Sequence, residues 1–277
     1  MKHFSLLVIG FMALTVTQAQ RTSSFTVSKS GKGKQNIILI PGFACSAQVW
    51  DETTTTALKG KTCYALSFAG FAGVPAQAEP DIKTWENDII DFIQVNKIDN
   101  PVLIGHSLGG VMALDIASSK PGLISKIIVV DALPSLARMY NPAFKHNDNP
   151  DCTPVVKQFE DMDSTAFVTR QKATFAFMLA DTSKLNMVLN WSMQSDRKTM
   201  GKTYCQLMNT DLRSSLKSIT CPSLIMLEPS FKAKDAEIKQ QYQALQTADL
   251  RYATSGLHFI MYDDKEWYMN TIETFLR

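Results

Sequence analysis

Ser107 stands at the centre of Gly105-His106-Ser107-Leu108-Gly109, between the apolar run "PVLIG" (101–105) and a stretch of helix-formers, "GVMAL" (110–114). A serine hydroxyl is a weak nucleophile until a base takes its proton and donors stabilise the oxyanion that follows. A sharp strand-to-helix turn would lift that hydroxyl clear of a sheet. Gly105 and Gly109 would let the backbone pass closely at the bend without side-chain clashes. The same turn puts the N–H of Leu108 at a helix N-terminus, where free donors and the helix dipole favour negative charge.

The base follows by elimination. Beyond the first twenty residues the chain has three histidines, His106, His146 and His258. His106 neighbours the serine and is expected to point elsewhere, and His146 lies in the polar stretch "FKHNDNPD". His258, in "TSGLHF", follows the last strand candidate, where a loop returns above a sheet. It is the expected general base.

The elements that would carry these groups alternate. "NIILI" (36–40), "CYALSF" (63–68), "PVLIG" and "KIIVV" (126–130) are continuous apolar runs, separated by helical patterns such as 84–98 with its stripe of Trp85, Ile89, Ile90 and Ile93. Runs of this kind suit strands covered on both faces, hence a mostly parallel sheet between helices. "SFTVSKSGKG" reads as an exposed edge strand and turn. From 132 to about 220 strong strand runs are missing, and seven of the thirteen methionines fall there with Trp191. That stretch reads as a mainly helical insertion. Alternation resumes with "SLIML" (223–227), a helix near 236–245, a short strand at 250–253 and a last helix at 265–276.

A serine at such an elbow, a late insertion and a histidine before the final helix together resemble the α/β-hydrolase superfamily in its capped serine-hydrolase branch, over residues 35 to 276. The resemblance implies a core of 20–131 and 221–277 with a helical cap, 132–220, inserted after the sixth strand. It also implies a second oxyanion donor from the loop "LIPGFACSAQVWD" (39–51), which assigns the Phe43 N–H beside that of Leu108. For the acid, similar proteins place an Asp after the strand that follows the cap. Here that stretch reads "LIMLEPSFKAKDAE", with Glu228 and Phe231 where a glycine and the aspartate would stand. Asp235, which fits a lengthened loop, is the preferred acid. Glu228 and Asp131, the residue that ends "KIIVVD", remain alternatives. Relatives often carry an Asp at the position of Ser67, a departure given no catalytic weight.

Composition bounds the rest. A net charge of +2 with no basic tract argues against nucleic acid as the main partner. "MKHFSLLVIGFMALTVTQAQ" has a basic start, an apolar run and a small-residue site, which reads as a secretory signal (1–19) cleaved after Ala19 and leaving no stable membrane anchor. Export, secreted or periplasmic, would allow disulfides among the five cysteines, and Cys152 with Cys205 is the expected pair because both fall in the insertion. No metal or organic cofactor is implied. The expected function is a secreted serine hydrolase cleaving small, apolar carboxylic esters through an acyl-enzyme. The same fold acting on lactone, amide or carbon–carbon bonds, or a non-catalytic hydrolase-like binder, stays open.

Overall fold

The structure is a computed structural model that describes residues 23–277. The expected signal segment, residues 1–19, lies outside the described residues. One seven-stranded sheet runs through the molecule in the order β1-β3-β2-β4-β5-β6-β7. Its strands are β1 (Phe25–Ser30), β2 (Asn36–Ile40), β3 (Thr62–Phe68), β4 (Val102–His106), β5 (Lys126–Val130), β6 (Ser223–Leu227) and β7 (Ala248–Tyr252). All pairings are parallel except that of β1 with β3. β1 exposes five of its six residues, as an edge strand can. β4 and β6 are wholly buried and β2 and β5 nearly so, because helices cover both faces.

The two faces sort by alternation along each strand. Ile38, Ile40 and Leu103 enter one core with α2 (Ile82–Val95), α3 (Leu108–Ser119) and Ile238 of α8 (Asp235–Tyr242). Ile37, Leu39, Val102 and Ile104 enter the other, with α10 (Lys265–Leu276) supplying Tyr268, Ile272 and Leu276. α2 starts where Asp81 accepts a hydrogen bond from the Thr84 amide at 2.7 Å, the ordinary cap of an amphipathic helix.

Between β5 and β6 the chain holds helices and turns without a strand: α4 (Thr153–Glu160), α5 (Ser164–Ala176), α6 (Leu185–Met193) and α7 (Arg197–Asn209). Five strands precede this stretch, where the resemblance implied six, because residues 25–130 form only these five. A Cys152–Cys205 disulfide ties the start of α4 to α7. The remaining described elements are α1 (Asp51–Thr55) and α9 (Ile260–Asp263), with short 3₁₀ turns at 47–50, 136–139, 182–184, 216–218 and 229–234.

Candidate active site

β4 ends at His106, paired with Val130 of β5, and the Ser107 amide donates to the Val130 carbonyl at 2.9 Å. The backbone then turns through φ 53° and ψ −119° at Ser107 before α3 begins. A non-glycine residue held there costs about 1–3 kcal/mol, which the surrounding packing must offset. The glycines on either side have distinct mechanical reasons. A Cβ on Gly105 would lie 2.1 Å from the Gly109 carbonyl oxygen, and one on Gly109 would lie 2.2 Å from that of Ile40. Only residues without a side chain allow strand, helix and the neighbouring β2 to approach so closely.

Ser107 occupies the N-cap position of α3 yet makes no side-chain cap bond. At most helix starts a serine there would satisfy a free amide. Its hydroxyl has no protein partner among the described residues, and it lines a cavity shared with the imidazole of His258. Contacts between nucleophile and base commonly close only when substrate is present. Leu108, at the first helical position, has one of the amides that a helix leaves without an internal acceptor. Phe43 and Leu108 both line the cavity beside Ser107.

His258 Nδ1 lies 2.6 Å from Asp131 Oδ2. A carboxylate only accepts, so Nδ1 carries the hydrogen and Nε2 is left with a lone pair. Asp131 follows β5 directly, with φ 48°, and is almost wholly buried. It is fixed from three sides. Its amide donates to the Met226 carbonyl at 2.7 Å, and its Oδ1 accepts the Glu228 amide at 2.7 Å. The next residue's carbonyl, that of Ala132, accepts the buried Tyr242 hydroxyl at 2.6 Å.

Asp235, the acid preferred from the sequence, is not brought to His258. The stretch after β6 forms a 3₁₀ turn, Pro229–Lys234, which carries Asp235 away to the start of α8. There it accepts from the Tyr252 hydroxyl at 2.9 Å and pairs with Lys239 at 2.8 Å, and these partners hold its carboxyl below the usual value. Glu228 reaches the cavity wall, but its side chain bonds the Ser230 hydroxyl and it meets Asp131 through its amide. Burial, and then the Asp131 charge, push its carboxyl up.

Several supporting residues carry no sequence motif. The His258 loop is clamped by Asp263, which accepts the Leu257 amide at 2.9 Å and that of Asp181 at 2.8 Å. Asp264 accepts the Thr254 amide at 2.7 Å. His106 Nε2 donates to the His258 carbonyl at 3.1 Å, and burial, then the nearby His258, hold the His106 ring well below its ordinary value. Ser67 accepts the Ala47 amide at 2.8 Å and so steadies the loop that carries Phe43. Only Asp131 had a readable signal, as a carboxylate ending the strand beside the elbow.

The cavity measures about 460 Å³, within the range of small-molecule sites. Leu133, Leu136, Tyr140, Leu207 and Phe231 make its wall mainly apolar, with Phe177 and Met178 from the helical stretch between β5 and β6.

A parallel sheet with these groups at the carboxyl ends of its strands defines a hydrolase-type α/β fold. Residues 37–269 match the alpha/beta hydrolase family, and the chain belongs to it. It is 26% identical over 200 residues to a pimeloyl-[acyl-carrier protein] methyl ester esterase of Proteus mirabilis, covering 69% of this chain and 73% of that protein. A protein of the same description from Aromatoleum aromaticum matches at 26% over 101 residues, 36% of this chain and 38% of the relative's length. Among solved structures, an esterase from Exiguobacterium antarcticum superimposes with a TM-score of 0.74 at 19% identity, covering 91% of this chain and 94% of that one. The enol-lactonase from Burkholderia xenovorans LB400 does so at 0.72 and 14%, covering 91% and 96%. At these identities the solved structures share the fold.

Proposed function

We propose that this protein is a serine esterase in which Ser107, His258 and Asp131 form the triad. The observation that carries the reading is the pairing of His258 with the buried Asp131, 2.6 Å apart, on the same cavity as a serine held in a strained elbow. Ser107 attacks the acyl carbon while His258 Nε2 takes its proton. The amides of Phe43 and Leu108 receive the oxyanion, and the imidazolium then protonates the departing alcohol. Water, activated by the same imidazole, cleaves the acyl-enzyme and returns the serine.

The apolar wall favours an ester with a hydrophobic portion, and the ester-cleaving relatives support the bond type. The buried Asp131 bonded to His258 counts against a non-catalytic binder, which would have no need of an acid to orient the imidazole. Export belongs to the same proposal, and the Cys152–Cys205 bridge supports an oxidising compartment. Residues 132–220 are then the cap that shapes the cavity.

The test is covalent labelling with a fluorophosphonate alongside turnover of p-nitrophenyl esters of increasing chain length. Wild type should gain one adduct per chain and hydrolyse these esters. Ser107→Ala, with unchanged circular dichroism, should do neither. Unlabelled but folded wild type would overturn the reading.

A further inference from the structure

A second lobe, of about 220 Å³, also opens on Ser107 and His258, and its wall differs in charge from the first. The larger lobe carries two carboxylates, Asp131 and Glu228. No carboxylate lines the smaller one, where the charged group is Arg170 of α5. Arg170 is half-buried, its guanidinium lies 5.3 Å from the centre of the Phe159 ring, and no acidic side chain pairs with it among the described residues. A cation–π contact of this kind holds the guanidinium beside the ring and uses none of its N–H donors.

Two neutral polar groups share that wall. Gln171 is buried, and the Ser192 hydroxyl is fully buried without any partner. The other titratable neighbours include His106 and Cys45, and burial keeps both uncharged, with the Cys45 thiol pushed up to about 12. The smaller lobe is therefore cationic and rich in donors, while the larger is apolar with its anionic groups on the His258 side.

We propose that the smaller lobe is a subsite for a carboxylate carried by the ester itself, with Arg170 as its ion partner. The guanidinium fork matches a carboxylate in two parallel hydrogen bonds, and the neighbouring Gln171 amide can add a donor to the oxygens' shell. The substrate class is then the half-ester. Its acyl chain ends in a free carboxylate a few atoms from the scissile carbonyl, and its alcohol is apolar and fills the larger lobe. A volume equal to about seven waters at liquid density limits the acid portion to a short chain. This assignment rests on Ser107 being the nucleophile.

Two measurements separate the subsite from the nucleophile. In the first, kcat/KM is compared for p-nitrophenyl hydrogen adipate and p-nitrophenyl hexanoate, which share a six-carbon acyl chain. Wild type should prefer the adipate, and Arg170→Met should lower the adipate-to-hexanoate ratio by about tenfold, the worth of one charged hydrogen bond. Arg170→Lys should restore part of the ratio. Raising NaCl from about 0.05 to about 0.5 M should erode it, since the guanidinium is partly exposed. In the second, methyl hydrogen adipate is titrated calorimetrically into Ser107→Ala, with and without Arg170→Met. Binding should weaken by about tenfold in the double variant. Equal effects on both esters, or equal affinity with and without Arg170, would overturn the subsite. Failure of fluorophosphonate labelling with the calorimetric difference intact would instead overturn the nucleophile.

Discussion

Asp131 is the residue on which the proposed triad turns, and its position explains both its part in that proposal and why it is hard to read. It accepts the His258 ring on one oxygen and the Glu228 amide on the other, so the imidazole is fixed in one tautomer. Asp131→Asn should keep the fold but lower kcat by about 10⁴, because the amide favours the wrong tautomer. Asp235→Asn should stay within about threefold, since its partners Lys239 and Tyr252 lie away from His258 and its ion pair with Lys239 is at the surface, where such pairs are weak. Steady-state turnover of one p-nitrophenyl ester by both variants decides the matter, and a larger loss in Asp235→Asn would refute the assignment. Ser107 and His258 stood out in the sequence because a glycine-flanked serine and a scarce histidine are chemical signals. Asp131 gives only the weaker signal of a carboxylate that ends the strand beside the elbow. What marks it is a left-handed backbone at the end of one strand and the shape of a turn after another, and neither is encoded in spacing.

At the scale of elements, the elbow is a meeting of three backbones, and its glycines were legible because nothing else explains two of them around one serine. Gly105→Ala puts a methyl group against the Gly109 carbonyl and the Gly110 amide, at 2.1 and 2.6 Å, with backbone on both sides and nowhere to move. The variant should lose about 3 kcal/mol or more of stability, or fail to accumulate as soluble protein, as overpacking against backbone does. Chemical denaturation at neutral pH measures it; an unchanged midpoint would mean that β4 and α3 can separate more readily than their packing implies. The buried parallel strands were equally plain in the sequence as unbroken apolar runs. The helices between β5 and β6 were legible only as the lack of strands, since their boundaries rest on local caps such as Asp163 at α5 and Asp196 at α7.

On the scale of the whole molecule, one charge sits where folding opposes it. Glu86 of α2 is buried, and desolvation, followed by the Asp115 charge, raises its carboxyl well above the ordinary value despite Lys83 at 3.2 Å. Because the folded value is raised, the native chain holds a proton that the unfolded chain has lost between the two values. Stability therefore falls as pH rises through that window. Glu86→Gln removes the penalty while Lys83 keeps Asp115 at 2.9 Å. It should raise Tm by roughly 2–4 °C at pH 8, a gain that fades towards pH 4. Melting curves of both proteins across that range provide the check, and a gain that grows on acidification would reverse the sign assigned here.

The bridge between Cys152 and Cys205 fastens the helices between β5 and β6 to one another, whereas Ser107, His258 and Asp131 all issue from the sheet and its loops. On the proposed reading, the triad and much of the cavity wall have separate addresses along the chain. Exchange of the stretch between Asp131 and Ser223 would then give the site a new mouth while those three residues stay in place.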